Sequence, residues 1–357
     1  MFLHLRLLLL TLIALSGVSG LAQNPSPTPA TASASASPNP DEPIFFHTPE
    51  SNRRLQIFND NRARLMKGDF DGLEKAAQQL RDSKESYFHG SWALTSFYLG
   101  VADIDYKTPD ADCVAFLNKI RAWVAAKPDS VTARIALAHA LTDYAWKARG
   151  TGWADSVTQE GDKAFNDRLL EAQKVLDEAK KLPQKCPHWY ATEQVVALGL
   201  GMDKQAYMDL VNEAIAFEPT YMDCYSNAVL FLQPRWYGDE GDSEKFITDH
   251  ADKIGGVDGD IFYARNVWLL DLRRLDGNVL KAHPQLSWDR ITKGFDALLK
   301  KYPDSLSVKS EYAHLAVRAE DKTRAKALFQ QIGQNMDERV WFDEKENFEH
   351  CRKWALE

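Results

Sequence analysis

The sequence predicts an all-α fold: a right-handed α-α superhelix, a solenoid of antiparallel helical hairpins with degenerate repeats. Three observations predict it. From Ser51 onward apolar residues recur at helical spacing, and strand-like alternation is scarce. Pro128-Asp129-Ser130 and Pro303-Asp304-Ser305 are near-identical helix starts, with Asp or Ser placed to accept the orphan N–H groups of a first turn. Pro187 and Pro219, 32 residues apart, enclose one helix–turn–helix whose small residues Ala197, Gly199, Ala206, Ala214 and Ala216 let two helices approach closely.

Taken in chain order, residues 1–22 read as a secretory signal. His4 and Arg6 form a weak polar start, an apolar stretch runs from Leu7 to about Val18, and Gly20 and Ala22 are small residues before a cut after Ala22. The stretch is short for a membrane anchor, which needs about 20 apolar residues. Residues 23–43, rich in Pro, Ser, Thr and Ala, have no apolar periodicity and read as a tether. The repeat domain then spans residues 44–357, with no later segment apolar enough to cross a bilayer. A solenoid of this length stays cohesive because each repeat packs on its neighbours.

Within that domain the punctuation is regular. Lys67-Gly68-Asp69 ends one helix and caps the next, and Pro109 opens another. Breaks fall at Gly150 to Gly152, Pro183 to Pro187, Gly201 to Asp203, Pro219, Pro234 to Asp242, Gly255 to Asp260, Asp276 to Pro284 and Gly333. About fourteen helices of ordinary length result, and their short connections make neighbours antiparallel.

Two insertions share one chemistry. One follows DYAWKARG and contains Tyr144, Trp146, Arg149 and Trp153; the other, QPRWYG, contains Arg235, Trp236 and Tyr237. Each follows the first helix of a hairpin, so a solenoid places both on one edge. Trp and Arg are what binding hot spots favour, and Arg pairs carboxylates bidentately. The competing reading is structural, with each Trp plugging a gap between repeats and each Arg capping a helix end. Trp189, Tyr190, Tyr207, Tyr221 and Tyr225 form a third aromatic group, whose helical spacing favours core over groove.

Several functional classes are excluded or disfavoured. A net charge of −8 argues against nucleic acid. No GxSxG, GxxxxGK[ST], HExxH or GxGxxG is present, so no catalytic residues, cofactor or metal is implied. His139 and His314 hold equivalent places in the two PDS repeats and read as helix-packing histidines rather than ligands. The acidic loop Asp239 to Glu244 lacks EF-hand spacing and reads as a solvated loop ending in a helix cap. Cys186 and Cys224 lie near turns of adjacent repeats; a bridge between them is one reading, and four free buried thiols, counting Cys113 and Cys351, is the other.

The hairpin between Pro187 and Pro219 and the DKTRAKALF segment (321–329) resemble tetratricopeptide repeats, whose period is 34 residues. The full tetratricopeptide pattern is nowhere intact. The segments AWKARGTGWADSV (145–157), CPHWY (186–190), FEPTYMDCYSNAVLFLQPRWYGDEGD (217–242), SWDRITKGFDALLKKYPDS (287–305), RAKALFQQIG (324–333) and CRKWA (351–355) resemble the bacterial domain-of-unknown-function family numbered 4034. That resemblance implies a helical-repeat protein exposed in the cell envelope and brings no catalytic residues with it.

The leading expectation is an exported, periplasmic or secreted binding or scaffold protein. It would hold a protein or peptide partner of the envelope in a concave groove or on the Trp/Arg edge. A glycan-binding protein or hydrolase would need two of Asp143, Asp155, Asp239 and Glu240 to converge near that edge. A structural envelope protein is the third reading.

Overall fold

A computed structural model describes residues 44–45, 48–152, 156–272, 277–341 and 344–357. The signal and tether expected over residues 1–43 lie outside them, as do Trp153 and Asp155. The described residues hold seventeen helices and one pair of two-residue strands, so the fold is all-α. They divide into two compact units: Pro49–Pro303, and Asp304–Glu357 with the first strand and Thr48.

The larger unit contains α1 (Pro49–Lys67), α2 (Phe70–Ser83), α3 (Ala93–Ala102), α4 (Asp110–Ala126), α5 (Val131–Arg149), α6 (Gln159–Lys180) and α7 (Pro187–Gly199). It continues through α8 (Lys204–Phe217), α9 (Met222–Phe231), α10 (Asp242–Ile254), α11 (Gly256–Leu272), α12 (Val279–Ala282) and α13 (Trp288–Lys301). Helices α3, α5, α7, α9 and α11 form an inner row in which α3 packs on α5, α5 on α7, α7 on α9 and α9 on α11. Outer helices back them: α4 and α6 flank α5, α8 lies on α7 and α9, and α10 and α13 lie on α11. This is the hairpin stack that the sequence spacing predicts.

The burial pattern follows from the layering. The outer helix α13 buries Ile291, Phe295 and Leu298, at i, i+4 and i+7, and leaves its charged face to solvent. By contrast, α3 and α9 are buried at every position, as expected for helices enclosed on all sides. Their polar side chains therefore bond to buried neighbours, Ser96 to the Tyr87 hydroxyl and Asn227 to the Ala191 carbonyl of α7.

Local starts and stops obey elementary capping. Asp69 accepts the Gly72 N–H at 3.0 Å, directly after Gly68, whose φ of +73° ends α1. In both PDS starts the serine is the cap, Ser130 accepting from Ala133 and Ser305 from Val308. Pro109 is itself the residue before α4, where its missing N–H costs nothing.

The smaller unit contains α14 (Leu306–Arg318), α15 (Lys322–Ile332), α16 (Glu338–Trp341) and α17 (Lys345–Leu356). Its β1 (Ile44–Phe45) pairs in parallel with β2 (Asn335–Met336). Trp341 is fully buried and meets His314, Phe329 and Phe348 at ring-centroid distances of 5.3, 5.9 and 5.3 Å. No helix among the described residues is long and apolar enough to cross a membrane.

Candidate functional site

The two Trp/Arg insertions lie together at one place in the larger unit. Trp146, in the last turn of α5, and Trp236, in the turn after α9, meet edge to face with ring centroids 5.8 Å apart and planes at 86°. This is a favoured geometry for two aromatic quadrupoles. Arg149 Cζ stands 5.5 Å from the Trp146 ring, and Arg235 Cζ stands 5.7 Å from the Trp236 ring. Arg149, Arg235 and Trp236 are half-buried, and Tyr237 is 40% exposed.

Each insertion also has a structural job. Trp146 is buried and rests on Phe165 of α6 at 4.8 Å, with Gly199 of α7 beneath it: a β-carbon on Gly199 would lie 2.5 Å from Leu169 Cδ1 and 3.4 Å from Trp146 Cζ2. The Trp146 carbonyl accepts the Gly150 N–H at 3.1 Å and the Tyr106 hydroxyl at 2.5 Å, which ends α5 firmly. Tyr144 is buried under the Arg168 guanidinium, 3.3 Å from its ring, and Arg168 also donates to the Tyr144 carbonyl. Arg149 Nη1 donates to the Gly152 carbonyl at 3.3 Å.

In the second insertion Tyr237 stacks on Phe231 at 4.9 Å, and Phe231 stacks on Tyr207 at 3.6 Å. A β-carbon at Gly238 would fall on the Leu232 carbonyl, so only glycine fits there. PRWYG is thus a turn that must fold in one way, and folding that way sets Trp236 on Trp146. The indole N–H groups of Trp146 and Trp236 and the amide nitrogen of Gln233 are buried without hydrogen-bond partners.

Of the carboxylates proposed for acid–base work, the three among the described residues, Asp143, Asp239 and Glu240, do not converge. Asp143 is sealed in the core, where its Oδ2 accepts the Ile104 N–H at 3.2 Å. Asp239 is at the surface and pairs with Lys204 at 3.0 Å, and Glu240 is exposed. The acidic loop is held internally: Asp242 takes Lys204 at 2.5 Å and the Asp239 N–H at 2.7 Å, and Glu244 is buried against His283. Among the described residues no group of three or more His, Cys, Asp or Glu side chains is arranged to hold a metal ion.

Cys186 and Cys224, read above as a bridge or as thiols, are both free and buried, as are Cys113 and Cys351. Burial pushes the Cys224 thiol well above its ordinary range, with Asp223 and Cys186 adding to the shift. In the third aromatic group Trp189, Tyr207, Tyr221 and Tyr225 are buried core, with Trp189 Nε1 donating to the Leu176 carbonyl, and Tyr190 is half-buried.

Sequence reasoning missed a second feature, a buried polar line through α3, α5, α7 and α9. It joins Thr95, His139, Asp143, His188, Tyr221 and Asp223. Its members come from four separate helices, and no local spacing marks them as a set.

Fold and edge together define a helical-repeat protein with a two-insertion aromatic edge. The model of the family described as Domain of unknown function (DUF4034) matches residues 59–180, from within α1 to the end of α6. That stretch contains the AWKARGTGWADSV segment; the other segments that carry the resemblance lie C-terminal to it. No curated protein and no solved structure matches the chain.

Proposed function

We propose that this is an exported binding module that holds a peptide or partner protein on the Trp/Arg edge. The observation that carries the reading is the Trp146–Trp236 contact, with a half-buried arginine at each ring and Tyr237 exposed beside them. Trp, Tyr and Arg are the side chains that most often carry binding energy, through large rigid contact area and bidentate pairing of carboxylates. Of the two surfaces expected from the sequence, the edge is the better supported. Every residue of α3 and α9 is buried, so these inner helices present no exposed groove face.

The test is capture of partners from cell-envelope extracts by the wild-type protein and by Arg149→Ala/Arg235→Ala. The expected result is weakened capture with unchanged helical circular dichroism. Undiminished capture, or unfolding of the variant, overturns the reading and leaves the edge a purely structural joint.

A further inference from the structure

Asp223, in the first turn of α9, accepts a hydrogen bond from the Thr95 hydroxyl of α3. Thr95 Oγ1 lies 3.1 Å from Tyr221 Oη, and Tyr221 Oη lies 2.7 Å from His188 Nδ1 of α7. His188 Nε2 lies 3.1 Å from His139 Nδ1 of α5. His139 Nε2 then faces Asp143 Oδ1, one turn along α5, at 3.8 Å. All six side chains are buried. Neither His139 Nε2 nor Asp143 Oδ1 has a hydrogen-bond partner.

The direction of every proton follows from counting donors. A hydroxyl and a neutral imidazole each have one proton to give. Thr95 gives its proton to Asp223, so Tyr221 donates to Thr95. His188 must then donate to Tyr221 from Nδ1, and its bare Nε2 accepts from His139 Nδ1. His139 Nε2 is left with a lone pair, and the atom facing it is Asp143 Oδ1. Asp143 Oδ2 is already an acceptor, for the Ile104 N–H. A carboxylate at Asp143 would set two acceptors against each other in a buried place; a carboxylic acid would supply the missing donor.

We propose that Asp143 and Asp223 share a single proton along this file, Asp143 as the neutral acid and Asp223 as the carboxylate, and that the file latches α3, α5, α7 and α9 in register while it holds that proton. Moving each proton one place along would exchange the two ends and leave the count unchanged. The first turn of α9 favours a carboxylate at Asp223, because the positive end of the helix dipole lies there. Burial holds Asp143 well above the usual carboxylate range; Asp103 adds to this, and the Ile104 N–H and Arg62 oppose it. Burial also holds both imidazoles neutral, His139 down to about 4 and His188 well below its ordinary value. The charged and titratable groups around the file are Arg62 of α1, Glu74 and Arg81 of α2, Tyr98 of α3, Asp103 beyond it, Cys186 before α7 and Cys224 of α9.

The experiment uses the full chain, labelled with 15N-histidine, beside Asp143→Asn and Asp143→Leu. An asparagine can donate to His139 Nε2 and accept from Ile104 as the acid does; a leucine can do neither. Nitrogen shifts report the tautomers, and His188 is assigned through the Tyr98 ring, on which it stacks at 4.1 Å. The expected result is Nδ1–H at both His139 and His188, in wild type and in Asp143→Asn. One protonated-carboxyl infrared band should be lost in Asp143→Asn at neutral pH. Asp143→Asn should melt close to wild type, and Asp143→Leu well below it. An Nε2–H tautomer at either ring, or no band lost in Asp143→Asn, overturns the proposal. If Asp143→Leu fails to fold, the wild-type tautomers and the Asp143→Asn band still decide it.

Discussion

Gly100 of α3 lies so close to Phe58 of α1 that a β-carbon on it would stand 2.6 Å from the Phe58 carbonyl oxygen. The obstacle is backbone, so a neighbouring rotamer change does not relieve it. Gly294 of α13 repeats the arrangement against α11, where a β-carbon would meet Ala264 Cβ at 2.6 Å as well as the Asp260 carbonyl. Alanine improves an open helix by up to ~1 kcal/mol over glycine. At these crossings overpacking should win, so Gly100→Ala and Gly294→Ala are each expected to lose ~1–3 kcal/mol of stability. Urea unfolding monitored by circular dichroism checks this, and a gain at either site would contradict the close-approach argument.

These glycines show what could be read from the chain. The segment SWDRITKGFDALLKKYPDS enters as part of a resemblance, and its Gly294 sits at a helix crossing. The PDS starts were legible because capping is local: one serine, one N–H, three residues apart. The two Trp/Arg insertions were legible as a pair because both follow the first helix of a hairpin, and the solenoid brings such turns together. The buried file was not legible. Thr95, His139, His188 and Tyr221 each look like ordinary helix-packing residues, and α3 and α9, buried all round, give no amphipathic period to signal which face meets which. The two-residue strands were too short for alternation to reveal. Whether the indoles serve a ligand or the fold was open in the sequence because both roles place Trp beside Arg.

The indole pair should be energetically coupled. Trp146 is buried, so Trp146→Ala is expected to cost ~3–5 kcal/mol, and half-buried Trp236 less. In a double-mutant cycle the two should not add, leaving a coupling of ~0.5–1.5 kcal/mol for an edge-to-face pair. A coupling of zero would mean that Trp236 is held by its own turn alone.

The two PDS caps should differ in worth despite their shared sequence. Ser305 accepts only the Val308 N–H that its first turn offers, whereas Ser130 also bonds Glu74, which accepts the Trp123 indole N–H at 2.9 Å. Ser305→Ala is expected to cost ~1 kcal/mol, the usual value of a cap. Ser130→Ala is expected to cost ~2 kcal/mol, because a part-buried bond to a charged group is lost with the cap. Hydrogen exchange at the first-turn amides of α5 and α14 measures each locally, and equal losses would show that the Glu74 bond contributes nothing.

Two buried groups should give stability opposite slopes with pH. Burial pushes Glu193 up to about 7, with Asp177 adding and the Gln173 hydrogen bond and Lys180 opposing, against an ordinary value of 4.5. Between those values the folded chain holds more protons than the unfolded chain, so stability falls as pH rises through that window. Across the whole window the loss amounts to ~3 kcal/mol. His139 works the other way. Its imidazole is held down to about 4 against an ordinary 6.5, so below 6.5 the unfolded chain takes up the proton first, and stability falls as pH drops toward 4. Glu193→Gln keeps a partner for Gln173 and removes only the first slope. Relative to wild type it should gain stability as pH rises from 4.5 to 7 and hold that gain above, read from urea midpoints at constant m-value. A difference independent of pH would mean that Glu193 ionises as freely in the folded protein as in water, and its burial against Gln173 would then carry no protonation cost.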